Sequence, residues 1–374
     1  MDTHCIATSC LKLGSSGGSP DFTSKVSCLT ELNHLIFSTA RVSSRQTVIP
    51  PRSYNGVNGQ DIATALAAMS LFANPLATPS QLYQRASASS LPQDLHEAVF
   101  IATQCLTQAA GRLLQLPQSV TAQANVVLAR YWVVDSPMTH EFSDVSAATI
   151  YLVSKLGPIP RSPRDVSNVY AYLASANSQL FPTDEPPKND PRTYYQSEAD
   201  YYAFQQRMLS LEARILRSLS FDTHVALPHP LAITYLQTLD FLSQPRTTVS
   251  LRVLQYLNTS LLSPQMLYVT HQPHALATAA IYNAARDLGA KMPEHEWWEV
   301  FDVDREELGF LVVAMRSVEG WMQKLKDDIP SFGSKMLKRS LVEDELKKRG
   351  LRVDGGDTAA VDEEDEVMRM MDSR

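Results

Sequence analysis

The residues that could carry catalysis or hold a metal are few in this sequence. It contains neither a phosphate-binding GxxxxGK loop nor a GxGxxG nucleotide motif. His271 and His274 flank Pro273 with no cysteine nearby, which is more typical of a loop leading into a helix than of a metal site. The four cysteines, which form no CxxC pair, are Cys5, Cys10, Cys28 and Cys105. We therefore predict no catalytic residue, no metal site and no cofactor, and we expect the protein to act by binding.

One pair of adjacent aromatic residues could serve as a binding platform. Trp297 and Trp298 could stack on a ligand, but such a pair more often fills the core or a junction between helices. We therefore expect these two tryptophans to be part of the core.

The composition argues against several classes of protein. The chain has 374 residues and a formal net charge of −7, so it lacks the surplus of Lys and Arg that sequence-independent nucleic-acid binding requires. It has no apolar run of about 18 residues, and residues 1–20 do not resemble a signal peptide. We expect no membrane segment, no small-molecule substrate and, since nothing suggests a disulfide framework, a reducing compartment.

Hydrophobic periodicity predicts the elements that must position any binding residues. Glycine is scarce, with 14 residues, which favours helices over strands. Between 94 and 222, apolar residues recur at helical spacing in five stretches, which predicts five amphipathic helices. Representative residues of their apolar faces are Leu106 and Ala110, Val127 and Leu128, Val145 and Leu152, Val166 and Leu173, and Met208 and Ile215. A long polar loop at 175–197 separates the last two helices.

The same rhythm restarts after Asp222 and predicts four or five more helices up to 326. Residues 1–93 read as a mostly disordered extension, with a possible short helix at 61–72 and a loose stretch at 74–92. Residues 327–374 read as a charged and largely disordered tail, with a possible solvated helix at 338–349.

Six short parts of this pattern carry a family resemblance. They are Gln108-Ala109-Ala110-Gly111 with Leu116-Pro117-Gln118; Ser154-Lys155-Leu156; Pro160-Arg161 with Arg164-Asp165-Val166; Glu212-Ala213-Arg214-Ile215-Leu216; Leu227-Pro228-His229-Pro230; and Ala279-Ala280-Ile281-Tyr282. Their order and spacing over about 94–325 resemble the cyclin family, closest to its cyclin L group. The resemblance implies an all-α fold of two tandem cyclin-box five-helix repeats, at 94–222 and 223–326, with disordered N- and C-terminal tails.

The resemblance also implies a partner and the residues that bind it. Cyclins bind a cyclin-dependent protein kinase through the third and fifth helices of the first repeat, where a Lys and a Glu pair. The matching residues are Lys155 and Glu212, and their apolar neighbours are Leu156, Leu216 and Phe221. The implied function is the activating, non-enzymatic subunit of a cyclin-dependent Ser/Thr kinase. The cyclin L group points to RNA polymerase II transcription or pre-mRNA processing in the nucleus.

The sequence departs from the family pattern just after Lys155. The family usually has two acidic residues after one apolar position, whereas this chain has Gly157 and Pro158. We expect the helix to end there, because proline disfavours a helical residue before it. An acidic contact with the kinase is then missing, which affects affinity or the choice of partner.

Two functions of other classes stay open. A general transcription factor with tandem cyclin folds would bind DNA, although such proteins normally carry a zinc ribbon and a basic face, which this sequence lacks. A non-catalytic helical adaptor is the other alternative. At the residue level, Lys155 and Glu212 could be two solvated helix charges, and Phe221 could be an ordinary core residue.

Overall fold

The computed structural model of the chain describes residues 73–88, 91–175, 178, 191–241, 247–329 and 336–351. Within these ranges every regular element is a helix, which confirms the all-α prediction. The possible helix at 61–72 and the disorder predicted for 1–72 and 352–374 lie outside the described residues.

A short helix, α1 (Pro79–Ala88), precedes the first bundle, so the prediction of a loose stretch at 74–92 is wrong. The helix has few apolar residues, and hydrophobic periodicity could therefore not reveal it. Its start does carry a sequence signal. The Thr78 hydroxyl accepts a hydrogen bond from the Gln81 backbone at 3.2 Å, and the Gln81 side chain accepts one from the Thr78 backbone at 2.8 Å. This is the reciprocal arrangement of a capping box.

Five helices form the first bundle, as predicted: α2 (Gln93–Leu113), α3 (Gln118–Val134), α4 (Phe142–Leu156), α5 (Pro163–Ala174) and α6 (Glu198–Ser218). Helix α4 lies at the centre and packs against the other four. Helices α2 and α3 approach closely at Gly111, where an added Cβ would collide with the side chain of Thr121. The site described below is built on α4 and α6.

The start of α5 follows the sequence prediction in detail. Ser162 is the N-cap residue, and its hydroxyl accepts a hydrogen bond from the Asp165 backbone at 3.1 Å. The Asp165 carboxylate in turn accepts one from the Ser162 backbone at 3.2 Å. Pro163 occupies the first turn, where its missing N–H costs nothing.

The second bundle is formed by α7 (Pro228–Thr238), α8 (Thr247–Ser260), the single turn α9 (Leu267–Thr270), α10 (Pro273–Asp287) and α11 (Arg305–Asp328). Alanine-rich α10 is its central helix and packs against α7, α8 and α11. Trp297 is buried in the core of this bundle, as predicted, and Trp298 packs partly buried against it. Helix α2 begins at Gln93 and α11 continues to Asp328, and the domain limits at 94–222 and 223–326 stay predictions.

The charged sequence after the second bundle folds back onto the first. Helix α12 (Arg339–Lys348) was predicted as solvated, yet Val342 and Leu346 on one of its faces are buried. Arg349, just after the helix, forms an ion pair with Asp94 at the start of α2, with a separation of 2.6 Å. The prediction failed because a single apolar pair in a charge-rich segment is too weak a signal for periodicity.

Candidate functional site

The structure brings Lys155 and Glu212 together. They come from the end of α4 and the middle of α6, and the Lys155 ammonium donates to the Glu212 carboxylate in an ion pair. The Glu212 side chain is 9% exposed and the Lys155 side chain is 47% exposed. The carboxylate is thus held inside the protein while the ammonium reaches the surface. Two independently solvated helix charges would not have this geometry.

Local sequence explains why the lysine stands at this place. Lys155 occupies the last turn of α4, where the negative end of the helix dipole favours a cation. Gly157 is extended and its N–H donates to the carbonyls of Val153 and Ser154, so the helix ends as the Gly157-Pro158 sequence predicts. The ammonium also lies 5.3 Å from the centre of the Tyr151 ring, within the range of a cation–π contact.

Two of the three predicted apolar contact residues stand at the surface. Leu156, at the end of α4, is 56% exposed and Phe221, just after α6, is 69% exposed. Leu216 lies on α6 one turn beyond Glu212 and is partly buried. Ordinary core packing is therefore excluded for Leu156 and Phe221. The sequence did not single out Ile159, which is also exposed just beyond α4.

The backbone around Phe221 is strained. Ser220 and Phe221 both have positive φ, of 51° and 62°. The turn is closed by a hydrogen bond from the Phe221 N–H to the Leu216 carbonyl at 2.8 Å. This left-handed conformation normally suits glycine, and a bulky residue pays about 1 kcal/mol or more for it. A large apolar ring that is exposed on a strained backbone is a candidate for contact with a partner.

Two further ion pairs hold α6, and sequence reasoning missed both. Arg207 Nε lies 2.7 Å from Asp144 Oδ2 on α4, and Arg214 Nε lies 2.8 Å from Asp135 Oδ2 at the end of α3. A signal for them was present, because the two arginines are seven residues apart and so share one side of the helix. Their acidic partners are distant in sequence and could not be assigned.

A groove of about 930 Å³ opens at the Asp144–Arg207 pair, between the start of α4, α5, α6 and the segment before α12. Its floor contains the buried side chains of Tyr170, Phe204 and Leu211. The rim carries both signs of charge, including Glu141 and Lys338. In the described part of the chain no cluster of His, Cys, Asp and Glu could hold a metal ion.

The two bundles define the class of protein, a tandem cyclin fold. The chain aligns with one chain of the crystal structure of the yeast RNA Pol II CTD kinase CTDK-1 complex with a TM-score of 0.52. The two are 15% identical, and the match covers 76% of this chain and 93% of the other. Identity this low supports the fold alone. No family model matches the chain.

Similarity to curated proteins gives the family. The chain is 32% identical over 253 residues to human Cyclin-L1, a match that covers 67% of this chain and 45% of that protein. It is 32% identical over 205 residues to an uncharacterised cyclin-L1-like protein of Schizosaccharomyces pombe, covering 54% of this chain and 76% of the relative. The chain belongs to the cyclin family, in its cyclin-L-like group. It spans about half the length of the mammalian cyclin-L proteins that it matches.

None of the described helices has both the length and the apolar character that crossing a membrane requires.

Proposed function

We propose that this chain is the activating, non-catalytic subunit of a cyclin-dependent Ser/Thr kinase that acts in RNA polymerase II transcription or pre-mRNA processing, in the nucleus. The observation that carries the proposal is the Lys155–Glu212 ion pair between α4 and α6, with exposed Leu156 and Phe221 at the ends of the same helices. Membership of the cyclin-L-like group supports the type of kinase.

The proposed mechanism is a shift in the population of kinase conformations. The apolar side chains of Leu156, Leu216 and Phe221 supply most of the binding energy, as buried anchors usually do at interfaces. The Lys155–Glu212 pair fixes the geometry of α4 and α6, so that the surface meets the kinase in one orientation. Binding then favours the kinase conformation in which the catalytic groups are aligned, and all groups that transfer phosphate belong to the kinase.

The test is co-purification of a kinase with the full-length chain, followed by mass spectrometry. We expect the wild-type chain to recover a cyclin-dependent kinase, and Glu212→Ala or Lys155→Ala to reduce recovery about tenfold or more. The physical reason is that either change leaves one charge of an interfacial pair without its partner.

The matched control is a second Lys–Glu pair of this chain. Lys291 and Glu294 form an ion pair in which both side chains are strongly exposed, far along the sequence from the proposed surface. We expect Lys291→Ala to leave kinase recovery unchanged. Wild-type protein that recovers no kinase, yet retards duplex DNA at moderate salt, would instead support a DNA-binding factor.

A further inference from the structure

The kinase-binding pair depends on how α6 is rotated about its own axis. The buried side chains of α6 form one narrow stripe: Phe204, Met208, Leu211, Glu212 and Ile215. At about 100° per residue, Glu212 stands at one edge of this stripe. Apolar contacts alone do not fix the rotation of such a helix about its axis, because flexible Met and Leu side chains can adjust to small rotations. A small rotation would carry the Glu212 carboxylate away from α4 and into solvent.

The opposite edge of the stripe is held by two arginines. Arg207 and Arg214 are seven residues apart, about two turns, and project from the same side of α6. Arg207 pairs with Asp144 near the start of α4, and Arg214 pairs with Asp135 at the end of α3. Three ion pairs therefore bracket the buried stripe, with Glu212 on one edge and the arginines on the other.

The surroundings of the Asp135 carboxylate keep it charged and ready to pair with Arg214. Asp135 stands at the C-terminal end of α3, where the helix dipole disfavours an anion. It is nevertheless partly buried and accepts hydrogen bonds from the Tyr131 hydroxyl at 2.5 Å and the Ser136 backbone at 2.9 Å, besides Arg214. Burial raises its pKa, but these hydrogen bonds outweigh burial and hold the pKa below its ordinary value. The group is thus a fixed anion on a rigid helix end.

Asp144 is the corresponding anchor on α4. Its carboxylate is nearly buried, whereas the Arg207 side chain that binds it is about half exposed. Helix α4 also carries Lys155. It therefore contacts α6 at two places: Asp144 near the start of α4 binds Arg207, and Lys155 at the end of α4 binds Glu212.

We propose that Asp135 and Asp144 are positioning residues for the kinase-binding surface: by holding Arg214 and Arg207, they set the rotation of α6 so that Glu212 faces Lys155. This role rests on the proposed function, because its effect is read through the affinity for the kinase. Neither aspartate contacts the kinase in this scheme.

The experiment measures the affinity of the full-length chain for the kinase subunit that co-purifies with it, by calorimetry, for Asp144→Asn and Asp135→Asn. The amide keeps the shape of the side chain and removes its charge. We expect each change to weaken binding of the kinase about fivefold, the size of effect expected between residues that are coupled through one network of ion pairs. In a Glu212→Gln background we expect no further loss, because the effect passes through Glu212. The double exchange Asp144→Arg with Arg207→Asp should restore most of the affinity.

The second bundle offers a matched control. Asp287 accepts hydrogen bonds from the Tyr256 hydroxyl at 2.6 Å and from Arg252 and Arg316 at 2.8 and 2.9 Å, which repeats the chemistry of Asp135. Asp287→Asn should lower the melting temperature of the chain as Asp135→Asn does, yet leave the affinity for the kinase within twofold.

The possible outcomes separate the two proposals. If Glu212→Gln binds the kinase as well as the wild type does, the proposed binding surface is wrong. If Glu212→Gln loses affinity while Asp144→Asn and Asp135→Asn do not, only the positioning role is wrong. The positioning role is also overturned if the losses add to that of Glu212→Gln, or if Asp287→Asn weakens binding equally.

Discussion

At the scale of single residues, Phe221 separates folding from function most clearly. The ring is exposed and the backbone is left-handed, so the residue contributes little to burial and costs conformational energy. Sequence alone left its core and surface interpretations evenly open, because a phenylalanine after a helix is compatible with both. Its exposure depends on how the chain turns after α6, which no local pattern specifies.

Replacing Phe221 with asparagine should therefore separate the two properties. Asparagine tolerates positive φ, so Phe221→Asn should raise the free energy of unfolding by up to about 1 kcal/mol. Loss of the apolar ring should weaken kinase binding about tenfold. Urea unfolding and calorimetric titration measure the two effects. Val313→Asn, which alters an exposed apolar residue of α11, should leave the affinity unchanged. Kinase binding by Phe221→Asn at wild-type strength would exclude this residue from the interface.

At the scale of elements, the sequence predicted the long helices of the two bundles far better than the segments around them, and no predicted stripe covers the single turn α9. The bundle helices bury continuous stripes, and α5 also carries its capping residues, so periodicity and capping agree. Helices α1 and α12 were missed or read as solvated because their contacts are few and come from distant parts of the chain. The Lys155–Glu212 pair followed from resemblance, whereas the pairs of Arg207 and Arg214 needed the packing of α3, α4 and α6.

The segment before α1 joins the two bundles through one residue, Asn74. Asn74 is 5% exposed, donates to the Ala226 carbonyl at 2.8 Å, and accepts from the Ala226 N–H at 2.8 Å and from Arg130 at 3.1 Å. Its backbone exchanges two hydrogen bonds of 3.0 Å with the Gln272 side chain. One residue thus contacts α3, the connection between the bundles and the start of α10.

Truncation of this side chain should destabilise the fold strongly. Asn74→Ala leaves the buried N–H and carbonyl groups of Ala226 without partners, so we expect a loss of about 2–4 kcal/mol in the free energy of unfolding. Urea denaturation measures it. Gln81→Ala, which alters only the exposed start of α1 in the same segment, should cost less than about 1 kcal/mol. Similar losses for the two variants would show that Asn74 does not join the bundles.

At the scale of the whole molecule, α1 connects the bundles through a charged side chain next to a buried histidine. Arg85 donates to His96 Nδ1 on α2 at 2.9 Å and to the Met266 sulfur of the second bundle at 3.0 Å. Because Arg85 can only donate, His96 must accept at Nδ1 and so be neutral. Burial, and then the positive charge of Arg85, lower the pKa of His96 to about 4. Glu97 is the acidic residue that acts on Arg85.

This arrangement predicts a loss of stability in mild acid. The unfolded chain binds a proton at His96 near pH 6.5, whereas the folded chain does so only near 4. Between these values the unfolded state holds more protons, so the free energy of unfolding falls as the pH falls. We expect the wild type to lose roughly 2 kcal/mol more than His96→Gln between pH 7 and pH 5, measured by urea unfolding. The glutamine keeps an acceptor for Arg85 and cannot titrate. If the free energies of unfolding of the two proteins fall in parallel with pH, protonation of His96 is not the cause of the loss of stability in acid.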